Sequence, residues 1–120
     1  VAESYFEYDG WMYLVSEDHG LAIFRIRPDG TGEEELLRTD VSIAAFTLTK
    51  DKLIVTGRLG KDLQEGITVF DLETMEPGVF LACWCEGLYT DKLDTVYFID
   101  CEDNTWHWLN AETGETGALN

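Results

Sequence analysis

The chain has 120 residues, and its 8 Lys and Arg stand against 24 Asp and Glu, a net charge of −16. Nucleic acid and anionic membrane surfaces recruit basic footprints, so neither is an expected partner. With 45% hydrophobic residues, including 4 Trp, 5 Tyr and 6 Phe, the composition is that of a folded domain, and no apolar run approaches the roughly 20 residues of a membrane-spanning helix, so membrane insertion is not expected. The chain begins at Val1 rather than Met, which suggests a piece of a longer protein.

In chain order, Tyr5 to Tyr8 reads as a strand, Asp9-Gly10 as a turn and Trp11 to Ser16 as a second strand. The loop Glu17-Asp18-His19-Gly20 leads to Leu21–Arg27. Here Ala22, Phe24 and Ile26 alternate with Arg25 and Arg27, the period of a half-buried strand. Pro28-Asp29-Gly30-Thr31-Gly32 is a turn in which Pro fixes φ and Gly supplies φ > 0. Glu33 to Leu37 follows as an outer strand guarded by three glutamates.

The same order recurs. Phe46–Thr49, a turn at Lys50-Asp51-Lys52 and Leu53–Thr56 form the next hairpin. A longer loop, Gly57–Gly66, precedes Ile67–Glu73, where Thr68, Phe70 and Leu72 alternate with Asp71 and Glu73. Pro77-Gly78 reads as the turn before an outer strand, Val79–Cys83. A third round runs Leu88–Thr90, a turn at Asp91–Asp94, Thr95–Asp100, a loop Cys101–Asn104, Thr105–Asn110 and a short final strand ending at Leu119.

Tyr13, Val55 and Tyr97 are 42 residues apart in each step, and each lies in an apolar run. Short strands repeating every 40–50 residues point to propeller blades. The expected fold is therefore all-β, one domain with repeat units at about 4–42, 43–85 and 86–120, each a four-stranded propeller-type blade; a β-sandwich or barrel is the alternative. Three blades do not close a ring. The chain is then a partial propeller, or half of a six-bladed ring closed by a homodimer.

The segment Ile23-Phe24-Arg25-Ile26-Arg27-Pro28-Asp29-Gly30-Thr31-Gly32-Glu33 resembles the I-x-R-x-x-x-D-G-T/S element of YWTD-type and TolB-like propellers. It is especially similar to that of bacterial LDL-receptor-related-protein-like β-propeller domains. Val69–Thr74 and Trp108–Glu115 resemble the strand and turn of quinoprotein-like repeats. The YWTD tetrad is replaced by Met12-Tyr13-Leu14-Val15. The resemblance implies a propeller fold, and because the matched positions are structural it carries no functional residues across.

Candidate chemistry is sparse. Cys83, Cys85, Cys101 and His107 form a C-x-C…C…H order that contains four zinc-type ligands, and a C-x-C pair on an extended segment presents both sulfurs to one side. Reduced core thiols are the simpler reading, and an odd cysteine count excludes a complete internal disulfide set. Asp100–Asn104 and Glu17-Asp18 are acidic hairpin loops with hard oxygen ligands, but without a D-x-D-x-D-G pattern. Trp84, Trp106, Trp108, Tyr89 and Tyr97 concentrate in the last third, as packing between blades or as a recognition surface. No nucleophile motif or phosphate loop is present. Neither a catalytic site nor a cofactor is therefore expected. The expected function is a non-catalytic binding or scaffold module for a protein or cationic partner, self-association included. An acidic inhibitor or mimic of the immunity type and a carboxylate- or metal-dependent enzyme domain are the alternatives.

Overall fold

β-Branched and aromatic runs of about six residues, punctuated by Gly- and Asp-containing turns, can satisfy their backbone groups only by pairing with a neighbour, and antiparallel hairpins result. The computed structural model describes residues 2–8, 10–16, 21–39, 43–58, 64–91 and 93–119. The loop carrying Glu17, Asp18 and His19 lies outside these residues. The chain forms two compact units, Val1–Ser42 and Ile43–Asn120.

The first unit is one antiparallel sheet in the order β1 (Ala2–Tyr8), β2 (Trp11–Ser16), β3 (Leu21–Ile26) and β4 (Glu34–Thr39). The second unit holds two more. One runs β5 (Ile43–Leu48), β6 (Lys52–Gly57), β7 (Gly66–Asp71) and β8 (Pro77–Ala82). The other runs β9 (Cys85–Thr90), β10 (Thr95–Asp100), β11 (Thr105–Asn110) and β12 (Thr116–Ala118). Every sheet follows chain order, and none closes into a barrel. The protein is all-β: three small four-stranded antiparallel sheets, with no helix among the described residues. Tyr13, Val55 and Tyr97 lie on β2, β6 and β10, the second strand of each sheet.

Within the second unit, Ile54, Ile67 and Val69 of one sheet and Val96, Phe98 and Leu109 of the other form a single core, to which Ala111 also belongs. A backbone bond crosses the same seam, Lys50 N–H donating to the Leu93 carbonyl at 3.2 Å, while Cys101 N–H donates to the Trp84 carbonyl at 2.8 Å and extends the β9–β10 ladder by one rung. Burial of the apolar faces supplies the driving force, about 25 cal/mol per Å² removed from water.

Three sequence expectations change. The alternation on β7 does not mark a half-buried strand, because every residue from Gly66 to Phe70 is buried; on β3, Ala22 and Ile23 are fully buried while Phe24, Arg25 and Ile26 stay partly exposed. Pro77 is not in a turn but opens β8, an edge strand where its missing N–H costs no ladder bond. The turn itself is Leu72–Thr74, ending at Met75 with φ 59°. Finally, β9 begins at Cys85, three residues before Leu88, because Gly87 at φ 70° allows a bulge opposite Tyr97–Ile99.

Candidate functional site

Most acidic residues in the turns already have partners. In the β7–β8 connection the Asp71 carboxylate accepts the N–H groups of Glu73 and Thr74 at 2.9 and 3.1 Å. In the β11–β12 connection Asn110 Oδ1 accepts those of Glu112 and Thr113 at 2.8 and 3.0 Å. Met75 and Gly114 end the two turns at φ 59° and 82°, donating to the carbonyls of Asp71 and Asn110. Asp91 gathers the N–H groups of Leu93, Asp94 and Thr95 within 2.8–3.2 Å. Side chains that cap turns in this way are structural. They hold the carboxyls of Asp71 and Asp91 below the usual range. For Asp71 the Thr74 and Glu73 N–H groups are the main cause; for Asp91 partial burial pulls upward and is outweighed by the N–H groups of Leu93, Thr95 and Asp94.

Two further titratable groups are also engaged: Lys52, which sequence reasoning did not single out, and His107, which it offered as a zinc-type ligand. The Lys52 ammonium, 17% exposed, lies 3.5 Å from both Asp71 and Glu112 and 3.9 Å from Asp51, joining the two sheets of the second unit. It borders a cleft of about 390 Å³ whose walls include Val69, Pro77, Val79 and Ala111. His107 stacks on Phe98 at 5.8 Å, its Nε2 3.0 Å from Asp103 Oδ2. Asp100, Asp103 and His107 bring one ligand atom each to within 4.8 Å of one another. Thr105 donates its hydroxyl to Asp103 at 2.8 Å and, with His107, holds that carboxyl low. The C-x-C…C…H set is therefore divided: His107 turns to two aspartates, and the thiols keep to themselves.

Cys83 and Trp84 are the whole connection between β8 and β9. Cys83 and Cys85 are half-buried against the core, and Cys101 is exposed. The two thiols act on one another: Cys85, together with burial, pushes Cys83 far above the ordinary thiol range, whereas Cys83 draws Cys85 below it against the upward pull of burial.

The outer face of the third sheet is different in kind. The register places Tyr89, Tyr97 and Trp108 in one row across β9, β10 and β11, and Glu86, Ile99 and Trp106 in the next. The side chains on the opposite face, Val96, Phe98 and Leu109, are fully buried, whereas Tyr89 is 59% and Trp106 41% exposed. Their rings meet at 5.8 Å. Trp84, at the head of the sheet, is 73% exposed. Trp108 is better covered, its ring lying against Gly117, where an added Cβ would come within 3.0 Å of Nε1. The acids Asp100, Glu102, Asp103, Glu112 and Glu115 sit in the hairpin turns at the two ends of the sheet, and no Lys or Arg occurs among its described residues.

The first sheet solves the same problem internally. The Trp11 ring is flanked by the guanidinium groups of Arg25 at 4.4 Å and Arg27 at 4.3 Å from its centroid. Arg25 is in turn bonded to Glu34 at 2.8 Å. A tryptophan, its cations and a carboxylate thus come from one sheet.

No family model matches the chain, and neither the curated proteins nor the solved structures contain a match.

Proposed function

We propose that the protein is a non-catalytic binding module of propeller type, its three sheets being consecutive blades, and that the outer face of the third sheet receives a cationic protein segment. Face-to-face packing in the second unit is common to blades and sandwiches. The strict strand order and the 42-residue spacing of β2, β6 and β10 positions favour blades. The observation that carries the partner class is the aromatic face of Tyr89 and Trp106, which has acids at its ends and no Lys or Arg among the described residues of its sheet. An arginine or lysine over an exposed ring contributes about 0.5–1 kcal/mol, rising to about 2 when water is excluded. The surrounding carboxylates add attraction at long range. A second copy of this chain is the weaker occupant, since it brings another −16 to the contact. Titration of tryptophan emission with an arginine-rich peptide tests the reading. Binding is expected at about 0.1 M salt and should be largely lost near 1 M, where the screening length falls to about 3 Å. Equal binding of an acidic peptide, or affinity indifferent to salt, would refute it.

A further inference from the structure

We propose that the cleft beside Lys52, within the second unit, is a binding site for a small organic cation: a guanidinium or ammonium group on a short apolar stem. Its volume of about 390 Å³ falls within the roughly 300–1,000 Å³ usual for small-molecule sites. Carboxylates on an open surface hold no ligand by themselves, but here three of them share a cavity with apolar walls. Val69 of β7 and Ala111, just after β11, are fully buried, Val79 of β8 is half-buried, and Pro77 adds its ring. The backbone around the cavity is fixed before any ligand arrives. The Glu76 carbonyl accepts the Asp71 N–H at 2.9 Å, Ala111 N–H donates to the Asp94 carbonyl at 2.7 Å, and Glu112 N–H to Asn110 Oδ1 at 2.8 Å. A site formed in advance avoids the ordering cost of binding.

The sign of the ligand follows from the charges. The lining sets one ammonium, Lys52, against the carboxylates of Asp71, Glu76 and Glu112. An anion approaching Lys52 would meet Asp71 and Glu112, each 3.5 Å from its Nζ, and Asp51 at 3.9 Å. Those distances exceed the roughly 2.7–2.9 Å of a charge-assisted hydrogen bond, so the carboxylates keep acceptor capacity for a second cation. Glu76, exposed, is in no ion pair among the described residues. A guanidinium suits such a place because it is weakly hydrated, planar and rich in donors, while its stem lies along the apolar wall. Neither Tyr89 nor Trp106 lines this cleft, so it can be tested apart from the outer face of the third sheet. A free alkylguanidine and an arginine side chain of a partner share this chemistry, and the test separates them.

The test is a titration of the full chain with butylguanidinium chloride at low salt, followed by nitrogen–proton correlation spectra. The Gly78, Val79 and Ala111 amides are expected to shift together, ahead of the Trp106 indole. Half-saturation should fall near about 1 mM, the scale for a ligand of about eight non-hydrogen atoms. Glu76→Gln combined with Glu112→Gln should weaken binding about 10-fold, the loss of two exposed ion pairs. Lys52→Gln removes the competing ammonium and should strengthen binding about 3-fold, which a merely structural cluster would not do. The remaining resonances verify that each variant is folded. A Gly-Gly-Arg-Gly-Gly peptide that binds more tightly than butylguanidinium identifies a partner's arginine as the occupant, and one that binds more weakly identifies a free cation. Cleft amides unmoved at about ten times the expected half-saturation overturn the site. Equal shifts with sodium butyrate or butanol, undiminished affinity in the doubly substituted protein, or weaker binding by Lys52→Gln overturn it as well.

Discussion

The Trp11 side of the first sheet and the outer face of the third present the same chemistry in two states of completion. In the first, Arg25 and Arg27 cover the indole, and Glu34 holds Arg25. In the third, Tyr89 and Trp106 are open, carboxylates lie in the hairpin turns at either end, and the only Lys or Arg in the sequence from 85 to 120 is Lys92, outside the described residues. A sheet that carries its own guanidinium groups has no need of a partner's. The difference teaches that the aromatic richness of the last third is not explained by packing alone: the buried face of that sheet uses Val96, Phe98 and Leu109, and the large rings face the other way.

The comparison can be broken most forcefully through the third sheet itself. Phe98→Ala removes a fully buried ring from the core of the second unit and is expected to cost about 3–5 kcal/mol in denaturant unfolding. Trp106→Ala, on the open face, should change stability little. It should weaken peptide binding by about 2 kcal/mol, roughly 30-fold, in the same fluorescence titration. If Trp106→Ala proved as destabilising as Phe98→Ala, the outer face would be core and not a surface.

The first sheet offers the converse experiment. Replacing both Arg25 and Arg27 by Gln uncovers Trp11 and removes two charges that repel a basic peptide. The doubly substituted protein should acquire binding at Trp11, at a gain of about 1 kcal/mol for each new cation over the ring. It is expected to show a second binding event by calorimetry that the parent protein lacks.

The smallest effect concerns the turns. The Asp91 carboxyl is ionised to lower pH in the folded protein than in the unfolded chain, so it contributes stability above the unfolded value near 4 and loses it as the pH falls through its folded value. Asp91→Ala is expected to cost less than about 1 kcal/mol at pH 7, given the group's exposure, and the gap to the parent should close below about pH 4. A gap that widens in acid would contradict the turn-capping role.

Much of this architecture was legible beforehand because its turns carry chemistry of their own. Asp-Gly, Pro-Asp-Gly and the acidic hairpins separate runs too short for helices, and eleven of the twelve strands last six or seven residues. What escaped had weaker signals. The turn ending at Met75 has no Gly where φ is positive; only its likeness to Asn110–Glu115, which has Gly114 there, gives it away. Cys85-Glu86-Gly87 is poor in β-formers, and pairing with β10 decides it. Alternation on β7 misled because residues of both faces are buried, and polarity does not report that when Thr68 is buried too. As for the site, the aromatics and the C-x-C pair were visible in the sequence. The Lys52 bridge and the turn of His107 toward Asp103 depend on tertiary contacts that no local pattern encodes.

The most direct test of the central contrast uses the four tryptophans as separate probes. Indole Nε1–H resonances would be followed by nitrogen–proton correlation spectra while an arginine-rich peptide is added. The account predicts shifts at Trp106 and its neighbours on the third sheet, with Trp11 unmoved behind Arg25 and Arg27. Shifts centred on Trp11, or the same small drift at all four, would contradict it.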